Sequence, residues 1–348
     1  MQLFDFTHFR ALRSACKNES PRWCLIVVCL TATLVTANAL AFVLLTNSDT
    51  NVGYAVVSKK WALASSDKTQ SDVLIVGDSS GDQGIDPEAF ESLSGLTALN
   101  LCTFGDLLTV DDLWLLERRI LEGAAPKHVI MIHVYDMWHR VDPNLAALRQ
   151  APLSWSQWDQ HTEIIPLGTA WKLRVLLDRY VPLLSRRDSL RQILLRGGLM
   201  QPETTFTPRG FRPVSKVNQE RTRKDRTQHL AFLGANTFHP SAVNEAALER
   251  VLSLCEEHSI QFWLFNSPVE AELARSPLFR DYHREVIDWL EEQVRDFPNA
   301  TVNRELYTVS IEHCERVDHI DTTAASEYTA FVSERVFSQS PTDRLPAK

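Results

Sequence analysis

The sequence is poor in cysteine, and its cysteines are not arranged to hold a disulfide framework or a zinc ion. Six of the 348 residues are cysteines, and three of them lie in or before an apolar N-terminal segment. Only Cys102, Cys255 and Cys314 remain for a folded domain, and three thiols cannot all pair within one chain. We therefore expect these three to be small, buried, apolar residues, with a disulfide between two of them as the alternative.

Charged residues are absent from residues 23–48, an interval that is almost entirely apolar. About 20 apolar residues in a helix cross a hydrocarbon core of roughly 30 Å, so residues 23–46 are predicted to form a transmembrane anchor. Four basic residues precede the anchor against two acidic ones, which predicts a cytoplasmic tail over residues 1–22. The predicted location is a membrane that the chain crosses once, with the rest of the chain on the non-cytoplasmic side.

A cleaved signal peptide is the alternative interpretation of the same segment. Ala37-Asn38-Ala39 matches an A-x-A cleavage site. The apolar run continues through residues 40–45, however, and this favours an uncleaved anchor. Both interpretations send the rest of the chain to the same compartment.

Short apolar runs alternate with helical patterns from residue 72 onward, which indicates βαβ units and a mostly parallel sheet. Pro87 begins one of the helical patterns, and Asp111 and Asp112 suit the first turn of another. The predicted strands lie near residues 73–76, 98–101, 127–134, 261–265 and 300–302. We predict an α/β fold, a three-layer α/β/α sandwich on a flavodoxin-like parallel sheet of about five strands, with one N-terminal transmembrane helix.

The remaining segments predict a stalk, an insertion and a tail. Residues 47–71 are polar and predict a stalk between the anchor and a domain over residues 72–338. Residues 140–228 interrupt the alternation of strands and helices with amphipathic helical patterns, broken at Pro182. Residues 339–348 are predicted to be a disordered tail.

The insertion is strongly basic in a chain whose net charge is −8. Residues 172–226 contain 14 Lys or Arg against five Asp or Glu, a net charge of +9. A solvated helical face is the ordinary explanation of such a run. The functional alternative is an anionic partner, either a lipid headgroup surface or a polyanionic glycan. Nucleic acid is not an expected partner in this compartment.

The strongest local signal is VLIVGDSSGDQGIDP over residues 73–87. A buried strand ends at Gly77-Asp78-Ser79 and a helix begins soon afterwards. This arrangement lifts the Ser79 hydroxyl to the carboxyl edge of the sheet, where open α/β folds bind ligands. The same residues fit the G-x-S-x-G nucleophile elbow of α/β-hydrolases. That fold needs several strands before its serine, whereas Ser79 follows the first strand of this domain, so chain order excludes it.

Three blocks of the sequence resemble the SGNH/GDSL hydrolase superfamily, and within it the membrane-anchored envelope proteins of alginate O-acetylation and teichoic-acid D-alanylation. The blocks are GDSSGDQGIDPEAF, LNLCTFG at residues 99–105, and DHIDTTAASEYT at residues 318–329. The resemblance implies that Ser79 is the nucleophile and His319 its general base. It also implies that the backbone amides of Ser79 and Gly105 form the oxyanion hole.

Two positions depart from the family pattern. The third family block normally supplies an Asn side chain to the oxyanion hole, but the end of the third predicted strand reads HVYD. The triad acid normally lies three residues before the histidine, where this chain has Arg316. Asp318 is the expected acid and Glu315 the alternative, because both lie near His319 at other spacings.

The sequence predicts two functions of different classes. The first is serine-dependent acyl transfer by an O-acetyltransferase or esterase, which acts on a cell-envelope polysaccharide through an acyl-Ser79 intermediate. The family resemblance alone implies this substrate class, and it also implies a bacterial inner membrane with the domain in the periplasm. A membrane acyl-donor protein is a further expected partner of this enzyme. The second is a binding or scaffold protein of an envelope-polysaccharide assembly, which has the same fold and a degenerate site. Neither a metal nor a cofactor is predicted, and a carboxylate that reaches His319 would favour the enzyme.

Overall fold

The structure, a computed structural model, describes residues 21–45, 52–66, 71–148, 151–152, 164, 169–197 and 205–338. Most of the predicted cytoplasmic tail and the predicted tail 339–348 lie outside the described residues. The chain divides into two compact units. Met1–Thr50 and Leu167–Pro202 form the first, here called the helical unit. Asn51–Pro166 and Glu203–Lys348 form the second, here called the sheet unit.

The regular elements alternate between strand and helix over most of the sheet unit. The strands are β1 (Val73–Gly77), β2 (Ala98–Asn100), β3 (His128–His133), β4 (Gln261–Asn266), β5 (Val269–Glu270), β6 (Ala300–Val302), β7 (Thr308–Val309), β8 (Cys314–Arg316) and β9 (His319–Ile320). The α-helices are α1 (Pro21–Leu45), α2 (Val52–Ala64), α3 (Ser79–Gly84), α4 (Pro87–Ser94), α5 (Leu108–Leu121), α6 (Leu145–Leu148), α7 (Thr169–Tyr180), α8 (Pro182–Ser185), α9 (Arg187–Arg196), α10 (Gln219–Ala235), α11 (Ala242–Glu257), α12 (Ala271–Arg275), α13 (Pro277–Val294) and α14 (Thr322–Ser338).

A five-stranded parallel sheet forms the centre of the sheet unit, in the order β2-β1-β3-β4-β6. All five predicted strands are present, and the prediction of a mixed α/β fold with a central parallel sheet is confirmed. Every residue of β1 is buried, as expected for a parallel strand covered on both faces. From β1 the chain adds β2 on one side of the sheet and then β3 on the other, so the direction in which strands are added reverses between β1 and β3. The carboxyl ends of these strands therefore border a crevice of the kind where open α/β sheets bind ligands.

The turn after β1 is fixed by glycine and by an aspartate cap. Gly77 has φ of +138°, and a Cβ there would lie 1.9 Å from the Ile132 carbonyl oxygen, so only glycine fits. The Asp78 carboxylate accepts a hydrogen bond of 2.8 Å from the Ser80 amide and caps α3. Ser79 therefore begins α3 directly at the carboxyl edge of the sheet.

The last helix brings the C-terminal part of the domain to the same edge. α14 packs against α3 and α4, and its Tyr328 hydroxyl donates to the Asn266 carbonyl oxygen at the end of β4. The short hairpin of β8 and β9 precedes α14, with Arg316 paired to His319. Residues 240 positions apart in the chain, Ser79 and His319, thereby become neighbours.

The helical unit contains α1, whose stretch Trp23–Val43 is long and apolar enough to cross a membrane by length and composition. The helices α7, α8 and α9 belong to the same unit. The predicted break at Pro182 is confirmed, because α7 ends at Tyr180 and α8 begins at Pro182. Residues 205–228 of the predicted insertion belong instead to the sheet unit, where α10 packs against β8.

The predicted polar stalk is wrong for Val52–Ala64, which forms α2 within the sheet unit. Lys60 is completely buried, and its ammonium lies 2.7 Å from the Asp82 carboxylate and 2.7 Å from the Gly210 carbonyl oxygen. The buried Trp61 indole N–H donates to the Asp111 carboxylate at 3.1 Å. A lysine that looks solvated in sequence is thus an internal ion-pair partner.

The three domain cysteines are buried and free, as predicted. Cys102 follows β2, Cys255 lies in α11, and Cys314 begins β8. Each packs among apolar neighbours as a small side chain, and burial raises the pKa of all three thiols. We therefore assign them to the core.

Candidate active site

Ser79, His319 and Asp318 form a continuous chain of hydrogen bonds. The Ser79 Oγ lies 2.8 Å from His319 Nε2, and His319 Nδ1 lies 2.5 Å from the Asp318 Oδ1. Since an ionised carboxylate only accepts, Nδ1 carries the proton in this arrangement and Nε2 is free to accept the serine proton. The three groups therefore have the relative placement of a nucleophile, a general base and an orienting acid.

The position of Asp318 comes from a tight turn between β8 and β9. Asp318 occupies the turn, and His319 begins β9, so the two adjacent side chains bend towards each other. A contact with α10 stabilises the turn, because the carboxylate of Asp225 in α10 accepts a hydrogen bond of 3.1 Å from the Val317 amide. The Asp321 side chain accepts from the Ala324 amide, which fixes the start of α14 just beyond the histidine.

Burial and charge oppose each other in this pair. Burial alone would raise the pKa of Asp318, but the charge and hydrogen bond of His319, with the charges of His229 and Arg140, hold that pKa well below its usual value. Burial alone would lower the pKa of His319, but the Asp318 carboxylate outweighs it and the pKa of His319 is raised. Asp318 thus stays ionised and strengthens the basicity of the histidine.

Glu315, the alternative acid, is engaged elsewhere. Its Oε1 lies 3.2 Å from a guanidinium nitrogen of Arg221 on α10. His319 Nδ1 already bonds Asp318. The structure therefore places Asp318, and not Glu315, in the orienting position.

Ser79 and Gly105, whose amides are the predicted oxyanion donors, both line the same cavity. Within the part of the chain that the structure describes, the amides of Ser79 and Gly105 have no hydrogen-bond acceptor. Gly105 lies close to the serine turn, because a Cβ built on it would be 3.6 Å from the Asp78 Cβ. Both N–H groups are therefore available to a ligand oxygen.

Arg140 also lies beside Gly105, and no pattern in the sequence indicated that it would. A Cβ on Gly105 would lie only 2.9 Å from the Arg140 Nη1. Two carboxylates hold the guanidinium, with Nη1 3.1 Å from Asp106 and Nη2 2.9 Å from Asp136. These bonds use two of its five N–H donors, so others remain for a ligand beside Gly105.

A buried ionic chain lies beneath the serine turn. His133, at the end of β3, bonds Asp112 through Nε2 at 2.7 Å and approaches Asp78 through Nδ1 at 3.4 Å. All three side chains are at most 2% exposed. Burial lowers the pKa of His133, but Asp112 and Asp78 outweigh it and raise the pKa to about 9. The protonated ring thus ties the end of β3 to the cap of the serine helix.

The cavity over Ser79 has a volume of about 370 Å³ and a strongly polar wall. Three more arginines line it, and each pairs with a carboxylate. These pairs are Arg212 with Asp82 at 2.5 Å, Arg221 with Glu315 at 3.2 Å, and Arg316 with Asp225 at 3.4 Å. Such a wall suits a hydroxyl-rich ligand better than an apolar one. Among the described residues no His, Cys, Asp or Glu cluster is arranged to hold a metal ion.

Comparisons with known proteins leave the family open. A scan against models of protein families finds no match, and a search of curated proteins finds no significant match. The resemblance to SGNH hydrolases therefore remains a prediction that depends on this chain's own motifs and on the geometry around Ser79.

Proposed function

We propose that this chain is a membrane-anchored, SGNH-type acyltransferase or esterase that works through an acyl-Ser79 intermediate. The observation that carries the proposal is the unbroken chain of contacts from Ser79 through His319 to Asp318. It includes a carboxylate that reaches the histidine, the feature that favours an enzyme over a scaffold. The cavity directly above Ser79 provides space for a substrate.

The proposed reaction follows from the positions of the proton carriers. His319 Nε2 takes the proton from Ser79 Oγ as that oxygen attacks the acyl carbonyl carbon. The tetrahedral intermediate collapses when the same proton passes from Nε2 to the departing alcohol oxygen. Water or a sugar hydroxyl then attacks the acyl-Ser79 ester and loses its proton to His319. As the bond between the acyl carbon and Ser79 Oγ breaks, His319 returns that proton to Oγ and the free serine is regenerated. Water makes the chain an esterase and a sugar hydroxyl makes it a transferase.

Arg140 supplies the donor that the missing third-block Asn would give. The amides of Ser79 and Gly105 provide two hydrogen bonds to the developing oxyanion, and the Arg140 guanidinium beside Gly105 provides a third with a full charge. Loss of one such donor typically lowers turnover by about 10²–10³. A fixed cation at this position is strong enough to offset that loss.

The finer features of fold, location and substrate belong to the same proposal. The strand order supports a three-layer, flavodoxin-like sandwich with helices on both faces of the sheet. α1 anchors the chain in a bacterial inner membrane, with the N-terminus in the cytoplasm and the sheet unit in the periplasm. The substrate is a cell-envelope polysaccharide, as the family resemblance implies and the polar, charged cavity wall allows. A membrane acyl-donor protein supplies the acyl group.

A fluorophosphonate probe tests the serine chemistry on the full-length chain in membranes. The probe phosphonylates only activated serines, so peptide mapping should find it on Ser79. Ser79→Ala should abolish labelling, and His319→Gln should slow it by orders of magnitude because the hydroxyl loses its base. Ser92→Ala, which removes an exposed hydroxyl of α4, is the matched control and should label normally. A folded wild-type chain that resists the probe, and hydrolyses no activated acetyl ester, would overturn the enzyme in favour of the scaffold.

A further inference from the structure

A polar residue in the apolar stretch of α1 makes contact with the basic helices of the same unit. The Asn38 Nδ2 donates to the Tyr180 carbonyl oxygen at 2.7 Å, and the Leu183 amide lies 3.5 Å from Asn38 Oδ1. Asn38 lies five residues before Val43, the end of the apolar stretch, or about 7.5 Å along the helix axis at 1.5 Å per residue. The break between α7 and α8 therefore meets α1 within its apolar stretch.

The break exposes a carbonyl group that needs such a partner. Pro182 has no N–H and ends α7. The amides of Leu184 and Ser185 both donate to the Val181 carbonyl oxygen, so the carbonyl of Tyr180 is not used by its own helix. A backbone carbonyl left unpaired in hydrocarbon is strongly unfavourable. The Asn38 amide removes that cost at a depth where water cannot.

The three helices also expose large apolar side chains to their surroundings. Leu173, Leu177 and Tyr180 are spaced by four and three positions, and so project from the same side of α7. Exposure ranges from 40% to 83% over six such residues: Leu173, Leu177, Tyr180, Leu184, Leu194 and Leu195. An apolar surface of this kind is unfavourable in water and marks a contact with lipid or protein.

A groove beside Asn38 continues this apolar surface onto α1. It has a volume of about 550 Å³, and apolar side chains dominate its walls, among them Leu34 and Phe42 of α1 and Val181. The basic residues Arg187 and Arg191 are exposed on α9, one turn apart. Helices that lie in a bilayer interface typically combine apolar side chains with neighbouring arginines. The leucines insert among the acyl chains, and the arginines contact the lipid phosphates.

We propose that residues 169–196 form a lipid-contacting segment that lies in the leaflet next to the periplasm and is docked on the membrane anchor through Asn38. The occupant of its apolar face and of the groove is a phospholipid bilayer that contains anionic lipids. Two observations favour a bilayer over a protein partner. The arginines are complementary in charge to anionic headgroups, and the apolar groove is continuous with the apolar surface of α1. The proposal rests on α1 being an uncleaved anchor and is independent of the serine chemistry.

Fluorescence quenching tests this placement on the full-length chain. Bimane is attached at Leu194→Cys, with Cys16, Cys24 and Cys29 replaced by Ala, and the protein is reconstituted in phosphatidylcholine and phosphatidylglycerol vesicles. Brominated acyl chains should remove most of the fluorescence and aqueous iodide should remove little. The reference is Leu121→Cys, an exposed leucine of the sheet unit, which iodide should quench. Iodide quenching of the Leu194 probe as strong as at Leu121, with no effect of brominated lipid, would overturn the proposal.

Two sets of substitutions test the docking of residues 169–196 on α1 through Asn38 and the contact of the arginines with lipid headgroups. Asn38→Leu should make the Leu194 probe more accessible to iodide. Thr33→Val should not, because among the described residues the Thr33 hydroxyl donates to the Cys29 carbonyl of its own helix. Arg187→Glu with Arg191→Glu should weaken quenching by brominated lipid in anionic vesicles. Unchanged signals in both sets would refute docking through Asn38 and headgroup contact. Ser79 labelling of the same samples separates a failure of this placement from a failure of the acyl-transfer chemistry.

Discussion

Asp318→Asn is the most informative change at the site, because it preserves shape and removes charge. The wild-type carboxylate lies 2.5 Å from His319 Nδ1 and fixes the proton there. An amide nitrogen at that position would donate to Nδ1 and leave the proton on Nε2, facing the serine. The corresponding change in a serine protease lowered turnover by about 10⁴, or about 5.5 kcal/mol of transition-state stabilisation. We expect a loss of this size in kcat/KM for an activated acetyl ester.

The pH profile of the same variant gives a second, independent result. His319 accepts a proton only when neutral, so wild-type kcat/KM should rise with pH through the pKa of His319. Asp318 raises that pKa, and its replacement removes the increase. The rise in kcat/KM should therefore occur at lower pH in Asp318→Asn, towards a much lower plateau. A purely structural defect would lower the plateau without moving the profile.

Glu315→Gln is the matched control, because it removes a nearby carboxylate that pairs with Arg221. We expect its activity and its fluorophosphonate labelling rate to stay within a few fold of wild type. An Asp318→Asn variant within tenfold of wild type would refute the proposed triad. A Glu315→Gln variant that loses as much activity as Asp318→Asn would refute the assignment of the acid.

Three further predictions concern residues around the triad. Arg140→Gln should slow Ser79 labelling by about 10²–10³, the usual effect of losing one oxyanion donor, and an unchanged rate would remove Arg140 from the site. Lys60→Met should lower the free energy of unfolding in denaturant by about 1–3 kcal/mol, because the Gly210 carbonyl loses its donor and buried Asp82 keeps Arg212 as a cation but loses Lys60; an unchanged free energy of unfolding would contradict this. The stabilisation from protonated His133 should be complete below about pH 6.5 and lost as pH rises through about 9. The difference in Tm between wild type and His133→Gln should narrow over that range, and a constant difference would contradict the charge assignment.

The sheet was predictable because each strand carries its own signal. Val73–Gly77 and Gln261–Asn266 are nearly continuous apolar runs, as strands covered on both faces require. The turn at Gly77 was predictable for a related reason, since a glycine and a capping aspartate follow directly from the local backbone. These features depend on short stretches of chain, and short stretches are what a sequence pattern shows.

The missed features depend on partners that are distant in sequence. Lys60 looked solvated because its partner Asp82 follows 22 positions later, after a strand, and Gly210 much later still. Arg140 stood at the edge of the predicted insertion, and its approach to Gly105 depends on how the chain leaves β3. The choice between Asp318 and Glu315 depended on the turn between β8 and β9, which spacing from the histidine does not define.

The ionisable groups at this edge favour an enzyme over a scaffold for a reason of folding energetics. Burying Asp318 and His319 has a desolvation cost, which their mutual attraction outweighs because the two groups lie within hydrogen-bond distance of each other. The pair is also placed against a serine hydroxyl and a cavity, whereas a buried pair that only stabilises the fold needs neither. A binding surface with a degenerate site could replace both groups with apolar side chains at little or no loss of stability. Titratable groups with shifted pKa values that converge on one nucleophile in a cleft are typical of catalytic sites, and here the Arg140 guanidinium lies beside Gly105 at the same edge.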